Sequence, residues 1–425
     1  MYRRSLAVFI SVCLVFTGLL LLIRVAEQRC GGLIIQKVAL HQNGEGGLEA
    51  GAASALFQLP DPAPLAGFPL TFRKVGPASP PLRARAVVFR QGPLKVGIVS
   101  LELLYVSESL SARIDERAHR MGLSTVWTTA THSHSAVGGF EPGVLGQWAG
   151  AGLFKSAIQD AVVDAAQRAL EKALSHQQAV TMSVSNFRLP HLLNSRNDDE
   201  PSDDRVERLS FDGPSGREAQ LIIFAAHPTL VSRDTQNLDG DFPSRLSQLE
   251  EQSGGGISIF LQGAVGNAGV NLEGSEGPAR PDRISRIDAF VQQLALSLDA
   301  APSHPIDPLT LEVRNVITSL PKPDSRRFLP RLLTPLGDAV LCLLAPTTAT
   351  LRTLKLGPLA LWGVPGEITG PAAQQIEGES ARMVSLVGGY IGYIETPEWV
   401  KREEGEAKRQ YFKAELLDVA RSAFH

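Results

Sequence analysis

Apolar and polar positions divide the chain into an uncharged amino-terminal run, a small-residue entry, and a long stretch in which strand-like and helix-like periods alternate. Ser5 to Ile23 carries no charge and is bracketed by Arg3-Arg4 and Arg24. Its length suits a bilayer span, which needs about 20 residues. A secretory apolar core is shorter, about 7–15 residues, and precedes small cleavage-site residues, whereas Arg24-Val25-Ala26-Glu27 follows here. The pattern predicts one transmembrane helix, an uncleaved anchor over 5–23, with residues 1–4 cytoplasmic on the strength of Arg3 and Arg4. Residues 24–43 then form a juxtamembrane segment. Gly44 to Pro81 is rich in Gly, Ala and Pro with apolar residues throughout, and reads as ordered loop.

Beyond it, β-branched apolar runs predict strands at ARAVVF, KVGIVSLELL, STVWTTA, QAVTMSVSNF, RVERLSF, AQLIIFAA, GISIFLQG, LTLEVRNVI, LKLGPLALWGV and RMVSLVGG. Helical spacing predicts helices over Ser107–Met121, Leu153–Ala173, Phe242–Gln252, Asp282–Ala300 and Glu406–Ala420. Strands alternating with helices give an α/β fold class, a mixed β-sheet core flanked by helices. No repeat, low-complexity tract or break interrupts residues 44–425, which are read as one domain.

Composition narrows the function. With 425 residues, 44% of them hydrophobic, the chain can bury a large core. Lys and Arg total 41 against 44 Asp and Glu, without a basic block, so a nucleic-acid partner is not expected. Three cysteines make no framework: Cys13 lies in the expected span, and Cys30 and Cys342 read as structural or incidental.

In open α/β sheets, ligands bind beyond the carboxyl ends of strands. His132 comes two residues after STVWTTA, His227 directly after AQLIIFAA, Glu367 after LALWGV in PGEITG, and Tyr393 shortly after RMVSLV. Imidazole nitrogen and carboxylate oxygen suit zinc, and two histidines, a glutamate and a phenolate make a plausible catalytic set. Each also has a structural reading: a turn histidine, a glutamate at a helix start, a buried tyrosine ring. The chain has no GxxxxGK[ST], HExxH, GxSxG or helix-opening GxGxxG motif. The glycine-rich LQGAVGNAGVN is a poor phosphate motif, and Asp198, Asp199, Glu200, Asp203 and Asp204 read as a solvated acidic loop.

These segments together resemble the neutral/alkaline, non-lysosomal ceramidases. ATHSHSAVGGF is similar to that family's THTHSGPGGY signature. PLAGF with LRARAVVF, NSRN, AAHPTL, FLQGAVGNAGVN, GVPGEITG and GGYIGYIETPE resemble further family segments in the same order. The resemblance implies a zinc amidohydrolase that cleaves the N-acyl bond of ceramide or a related lipid amide. It implies Zn2+ held by His132, His227, Glu367 and Tyr393, with His134 and Arg196 lining the reacting centre and Tyr393 also assisting catalysis. A lipid or other acyl-amide substrate is the expected partner, and a periplasmic or otherwise extracytoplasmic domain on a single-pass membrane anchor the expected location. Three departures stand out: Asn267 replaces the family's aspartate, the position of a downstream tyrosine falls near Gly405, so that role is vacant unless Tyr411 takes it, and Ser135-Ala136-Val137 replaces SGP. They mark a divergent branch, for which a zinc hydrolase of another envelope amide or ester, or a non-catalytic lipid-binding homologue, is the alternative.

Overall fold

The computed structural model describes residues 2–30, 35–69, 73, 79–231, 233–272, 283–307, 309–378 and 380–425. Three five-stranded sheets carry the fold. In spatial order, the first is Thr125–Ala130, Leu94–Leu101, Arg83–Gln91, Leu48–Leu56 and Gln178–Ala179. The second is Ile257–Gln262, Gly216–Phe224, Arg205–Gly213, Thr181–Arg188 and His304–Ile306. The third is Gln36–Asn43, Leu311–Ser319, Thr348–Leu356, Leu359–Gly363 and Ala381–Val384. Each sheet is antiparallel apart from one parallel pair: Leu94–Leu101 with Thr125–Ala130, Gly216–Phe224 with Ile257–Gln262, and Leu359–Gly363 with Ala381–Val384. Parallel neighbours need a crossover. Here the crossovers contain the helices Glu108–Arg120, Asp241–Gly254 and Gly370–Gln374.

The two-residue period of the strands decides the packing. Val87, Phe89, Ile98 and Trp127 of the first sheet share one buried cluster with Leu209, Leu221 and Ile259 of the second and Val313, Leu354 and Leu361 of the third. All three sheets therefore face a common interior. Their outer faces are covered by helices: Ala86 and Val88 lie in a cluster with Leu110 and Val162, Ile222 and Phe224 with Phe242 and Leu294, and Leu351 and Trp362 with Leu417 and Ala420.

The α/β class and the mixed pairing agree with the sequence pattern, but one sheet was expected, and the described residues form three five-stranded sheets and two two-stranded ones. Periodicity marks a strand without naming its neighbour. LKLGPLALWGV is a hairpin turning at Gly357, whose φ is 59°. The expected helix Glu406–Ala420 is a tight turn over Gly405–Arg409 followed by a helix at Leu416–Phe424. Leu48–Leu56 is a strand although it has no β-branched residue. Its small side chains let the helix Ser156–Ser175 come close: a Cβ on Gly51 would lie 2.1 Å from the Ala173 carbonyl oxygen. Gln36–Asn43, expected in a juxtamembrane link, is instead an edge strand paired with Leu311–Ser319.

Tyr2–Cys30 is helical. The expected span over 5–23 falls largely on residues whose side chains, Cys13 among them, lie outside those described. Among the described residues no helix is long and apolar enough to cross a membrane, so the transmembrane reading finds no support in the fold. The carboxyl end of this helix packs Ala26 against Ala339 and Cys342. Cys30 and Cys342, read as structural or incidental, form a disulfide with Cα atoms 5.7 Å apart. Their 312-residue separation concealed the pairing from sequence. With two of the three cysteines bonded, thiol titration of the unfolded, unreduced protein is expected to find about one free thiol, rising to about three after reduction. Three thiols before reduction would contradict the pairing.

Candidate metal centre

The three parallel pairs end against one another. Gln262, the fully buried last residue of its strand, donates from Nε2 to the Thr131 and Ala226 carbonyls, at 2.9 and 3.0 Å. Its Oε1 accepts from the Ala226 N–H at 3.4 Å. Ser385, just past Ala381–Val384, donates its N–H to the Gln262 carbonyl at 2.8 Å and its hydroxyl to the Gly263 carbonyl at 2.6 Å. Loops leaving these strand ends carry the residues singled out from sequence.

His132 sits at φ 71°, a left-handed backbone that is strained for a non-glycine residue. Its ring is buried, with Nδ1 2.7 Å from the Leu104 carbonyl oxygen. His134 Nδ1 is 2.6 Å from the Gly67 carbonyl oxygen, and His227 Nδ1 is 3.0 Å from that of Ala268. A carbonyl accepts only, so each Nδ1 carries the proton and each Nε2 keeps a lone pair. Gly67 has φ 121°, and a Cβ there would lie 1.9 Å from the His134 carbonyl oxygen, so only glycine fits this approach.

The three lone pairs converge: the ligand atoms of His132, His134 and His227 lie within 4.8 Å of one another. Glu367 and Tyr393 face each other on the short parallel strands Glu367–Ile368 and Tyr393–Ile394. Glu367 Oε2 is 3.1 Å from His132 Nε2 and 3.1 Å from His227 Nε2. Tyr393 Oη is 3.2 Å from His227 Nε2. Arg196 donates from Nη1 to His227 Nε2 at 2.8 Å. The four residues expected to hold a metal are thus together, and so are His134 and Arg196, expected beside them. His134 also belongs to the histidine trio that can hold an ion.

Burial drives the His134 ring well below its ordinary pKa, with the neighbouring His132 and His227 adding to the effect. Burial, with Arg196 beside it, lowers His227 to about 3. Both rings are neutral at pH 7. Burial alone would push the Glu367 carboxyl up, but His132 and His227 together outweigh it and hold it well below the usual carboxylate range. Burial and the Glu367 charge raise Tyr393 well above 10. The Nε2 atoms of His132 and His134 are buried without a hydrogen-bond partner. Lone pairs aimed at a carboxylate oxygen are satisfied by a cation between them, and atoms sharing one zinc at about 2.0–2.2 Å stand roughly 3–3.5 Å apart. Neutral imidazoles, an ionised carboxylate and a phenol are the donor chemistry that zinc takes.

Two contributors escaped sequence reasoning. Tyr390 donates its hydroxyl to Glu367 Oε1 at 2.7 Å and stacks on Tyr105, with ring centres 4.4 Å apart. It lies three residues from Tyr393 in GGYIGY, but nothing in that spacing separates a ligand from its support. The other is the segment Gly263 to Val270. The Ala268 carbonyl accepts from both the backbone N–H and Nδ1 of His227, and the Asn267 carbonyl accepts from the Arg196 N–H at 2.9 Å. Asn267 Nδ2 donates to Ser195 Oγ, and its Oδ1 accepts from the Gly370 N–H. Asn267 therefore ties loops together through its amide. Of the acidic loop read as solvated, Asp203 is buried and paired with Arg205, and Asp204 pairs with Arg188. Tyr411 lines a cavity of about 290 Å3 with Tyr105, Glu141 and Tyr390.

No protein-family model and no curated protein sequence matches the chain. Solved structures do match, among them the neutral ceramidase from Pseudomonas aeruginosa and a structure described as ceramidase complexed with C2. The first superposes with a TM-score of 0.77 at 16% identity, over 89% of this chain and 73% of the other. The second gives a TM-score of 0.76 at 16% identity, over 88% and 74%. The chain has a neutral-ceramidase-like fold.

Removing the Gln262 carboxamide leaves two buried carbonyls and one N–H without partners at the joint beneath the histidines. Gln262→Leu is expected to lower stability by about 3 kcal/mol or more, since each of the three unsatisfied buried groups costs about 1–3 kcal/mol. Denaturant unfolding measures it, and a change below about 0.5 kcal/mol, the size of an ordinary surface substitution, would remove Gln262 from this role.

Proposed function

We propose that the chain is a zinc-dependent amidohydrolase that cleaves the N-acyl bond of ceramide or a related lipid amide, releasing a fatty acid and an amine. The observation that carries this reading is Glu367 Oε2 at 3.1 Å from the Nε2 atoms of both His132 and His227, with Tyr393 Oη on His227 and a ligand atom of His134 within 4.8 Å of those of the other two histidines. The likeness to ceramidase structures supports the choice of bond. His132, His227, Glu367 and Tyr393 would hold the ion, with Tyr390 orienting Glu367. When bound, zinc supplies a Lewis acid that polarises the acyl carbonyl and brings the pKa of water toward about 7.

The chain's own groups perform the rest. His134 is neutral and half-buried, with its Nε2 buried and without a hydrogen-bond partner. It takes the proton of the water whose oxygen bonds to the acyl carbon. It then returns that proton to the amide nitrogen as the carbon–nitrogen bond breaks, so atoms and charge balance. Gly67 holds the ring in place through Nδ1. The Arg196 guanidinium and the Tyr393 hydroxyl are the donors available to a developing oxyanion.

The same reading places the domain over 44–425 outside the cytoplasm, held to a membrane by residues 5–23 with residues 1–4 inside. The Cys30–Cys342 disulfide supports an oxidising compartment. Alkaline carbonate extraction of native membranes tests the anchor, which is wrong if the full-length chain is released into the supernatant.

Two substitutions separate the roles at the centre. His227→Ala is expected to abolish zinc binding while leaving a folded protein. His134→Ala is expected to keep the metal and lose roughly 10²–10³ in turnover, the usual effect of deleting one group that acts on the transition state. Metal content and fatty-acid release are measured on both. Equal zinc loss would put His134 among the ligands, and absence of zinc from the wild-type protein would end the metal reading.

A further inference from the structure

Beside the histidines lies a second arrangement. Gly405, near where the family resemblance expects a tyrosine, has φ 53°, and a Cβ there would lie 2.4 Å from Asn197 Oδ1. The Gly405–Arg409 turn instead brings Arg409 to Tyr393, with the guanidinium carbon over the ring and 5.7 Å from its centre. Arg409 also donates to Glu406 Oε2, and Glu406 Oε1 is 4.0 Å from Arg196 Nη1. Two guanidiniums therefore share one carboxylate.

Glu406 is buried, whereas the Arg196 and Arg409 side chains keep 28% and 57% of their exposure. Arg196 also donates to the His227 ring. Asp198, Asp199 and Glu200 line a cavity of about 810 Å3 with Gly405, Arg402 and Lys408. More positive charge stands near His134: its ring lies 5.4 Å from that of Phe68, which carries Arg73 and Arg233 over its face at 5.0 and 5.2 Å. A neutral amide head group gives this arrangement nothing to pair with.

We propose that Arg196 and Arg409 form an oxyanion-binding subsite beside the metal centre, so that the preferred substrate is an acyl amide whose amine portion bears a carboxylate or a phosphate. The proposal rests on the amidohydrolase reading above and narrows its substrate class. A guanidinium presents five N–H donors in a plane that matches carboxylate and phosphate oxygens in pairs, and its charge strengthens each bond. The Arg196 N–H now on His227 Nε2 occupies the lone pair that an ion takes, so metal loading frees this donor for a ligand. Guanidiniums that keep part of their exposure also raise the local concentration of anionic substrate.

The test uses full-length, zinc-supplemented protein and three probes with one acyl chain: dodecanoylglycine, dodecanoylethanolamine and dodecanoate. Affinity is read by titration calorimetry and hydrolysis by fatty-acid release. Dodecanoylglycine is expected to bind roughly tenfold tighter than the neutral ethanolamide, in line with one additional charged hydrogen-bonded contact. Arg409→Gln is expected to bring that ratio to about one, and Arg409→Lys, which keeps the charge without the paired geometry, to leave part of it. Equal affinities in the wild-type protein, or a ratio that survives Arg409→Gln, overturn the subsite. Dodecanoate binding as tightly as dodecanoylglycine, with the same loss in Arg409→Gln, would assign it to the product carboxylate and overturn the head-group assignment. Arg409-dependent binding without fatty-acid release from either amide supports the subsite and refutes the hydrolase reading.

Discussion

One side-chain amide, that of Gln262, holds the place where two sheets meet and so decides where the histidines stand. Strand ends leave backbone groups that must find partners when buried. Gln262 supplies them for Thr131 and Ala226, each the residue immediately before a histidine of the cluster. The third sheet joins the same point through Ser385. Sliding any of these strands by one residue would turn its apolar set away from the shared interior and carry its functional residue off the centre. Core packing and site geometry are thus set by one register, and neither can drift alone.

The segment after Gln262 extends this joint to the other loops. It supplies carbonyls to His227 and Arg196, and it takes a bond back from the loop that follows Glu367: the Gly266 N–H donates to the Ile368 carbonyl at 2.8 Å. A Cβ on Gly266 would lie 2.9 Å from the Glu367 carbonyl oxygen, so this close passage depends on glycine. Glycine content resembling a phosphate-binding loop has a different cause here. It lets one backbone run between three functional segments at hydrogen-bonding distance.

Position relative to strand ends was enough to find His132, His227, Glu367 and Tyr393 on paper, because a strand-end rule needs only local periodicity and the residue that follows. Their companions were hidden for physical reasons. Gln262 looks like an ordinary last strand residue, and its importance lies in two carbonyls distant in sequence. Tyr390 acts through a hydroxyl whose partner is 23 residues away. The strand Leu48–Leu56 resembled a loop because its composition answers to a helix packed across it, not to its own backbone. Several sheets instead of one, and the Cys30–Cys342 bond, are likewise matters of pairing, which a one-dimensional pattern of apolar positions does not contain.

The same distinction explains how such a centre persists while its surroundings change. The three imidazoles are oriented by the carbonyls of Leu104, Gly67 and Ala268. Every residue type supplies a carbonyl, so orientation by backbone constrains the path of the chain more than its composition. The rim is built otherwise. Arg196, Glu406 and Arg409 interact through side chains, and the glycine at 405 lets the turn pass close to Asn197. The inner rings are thus held by the path of the backbone, and the rim by the identity of its side chains.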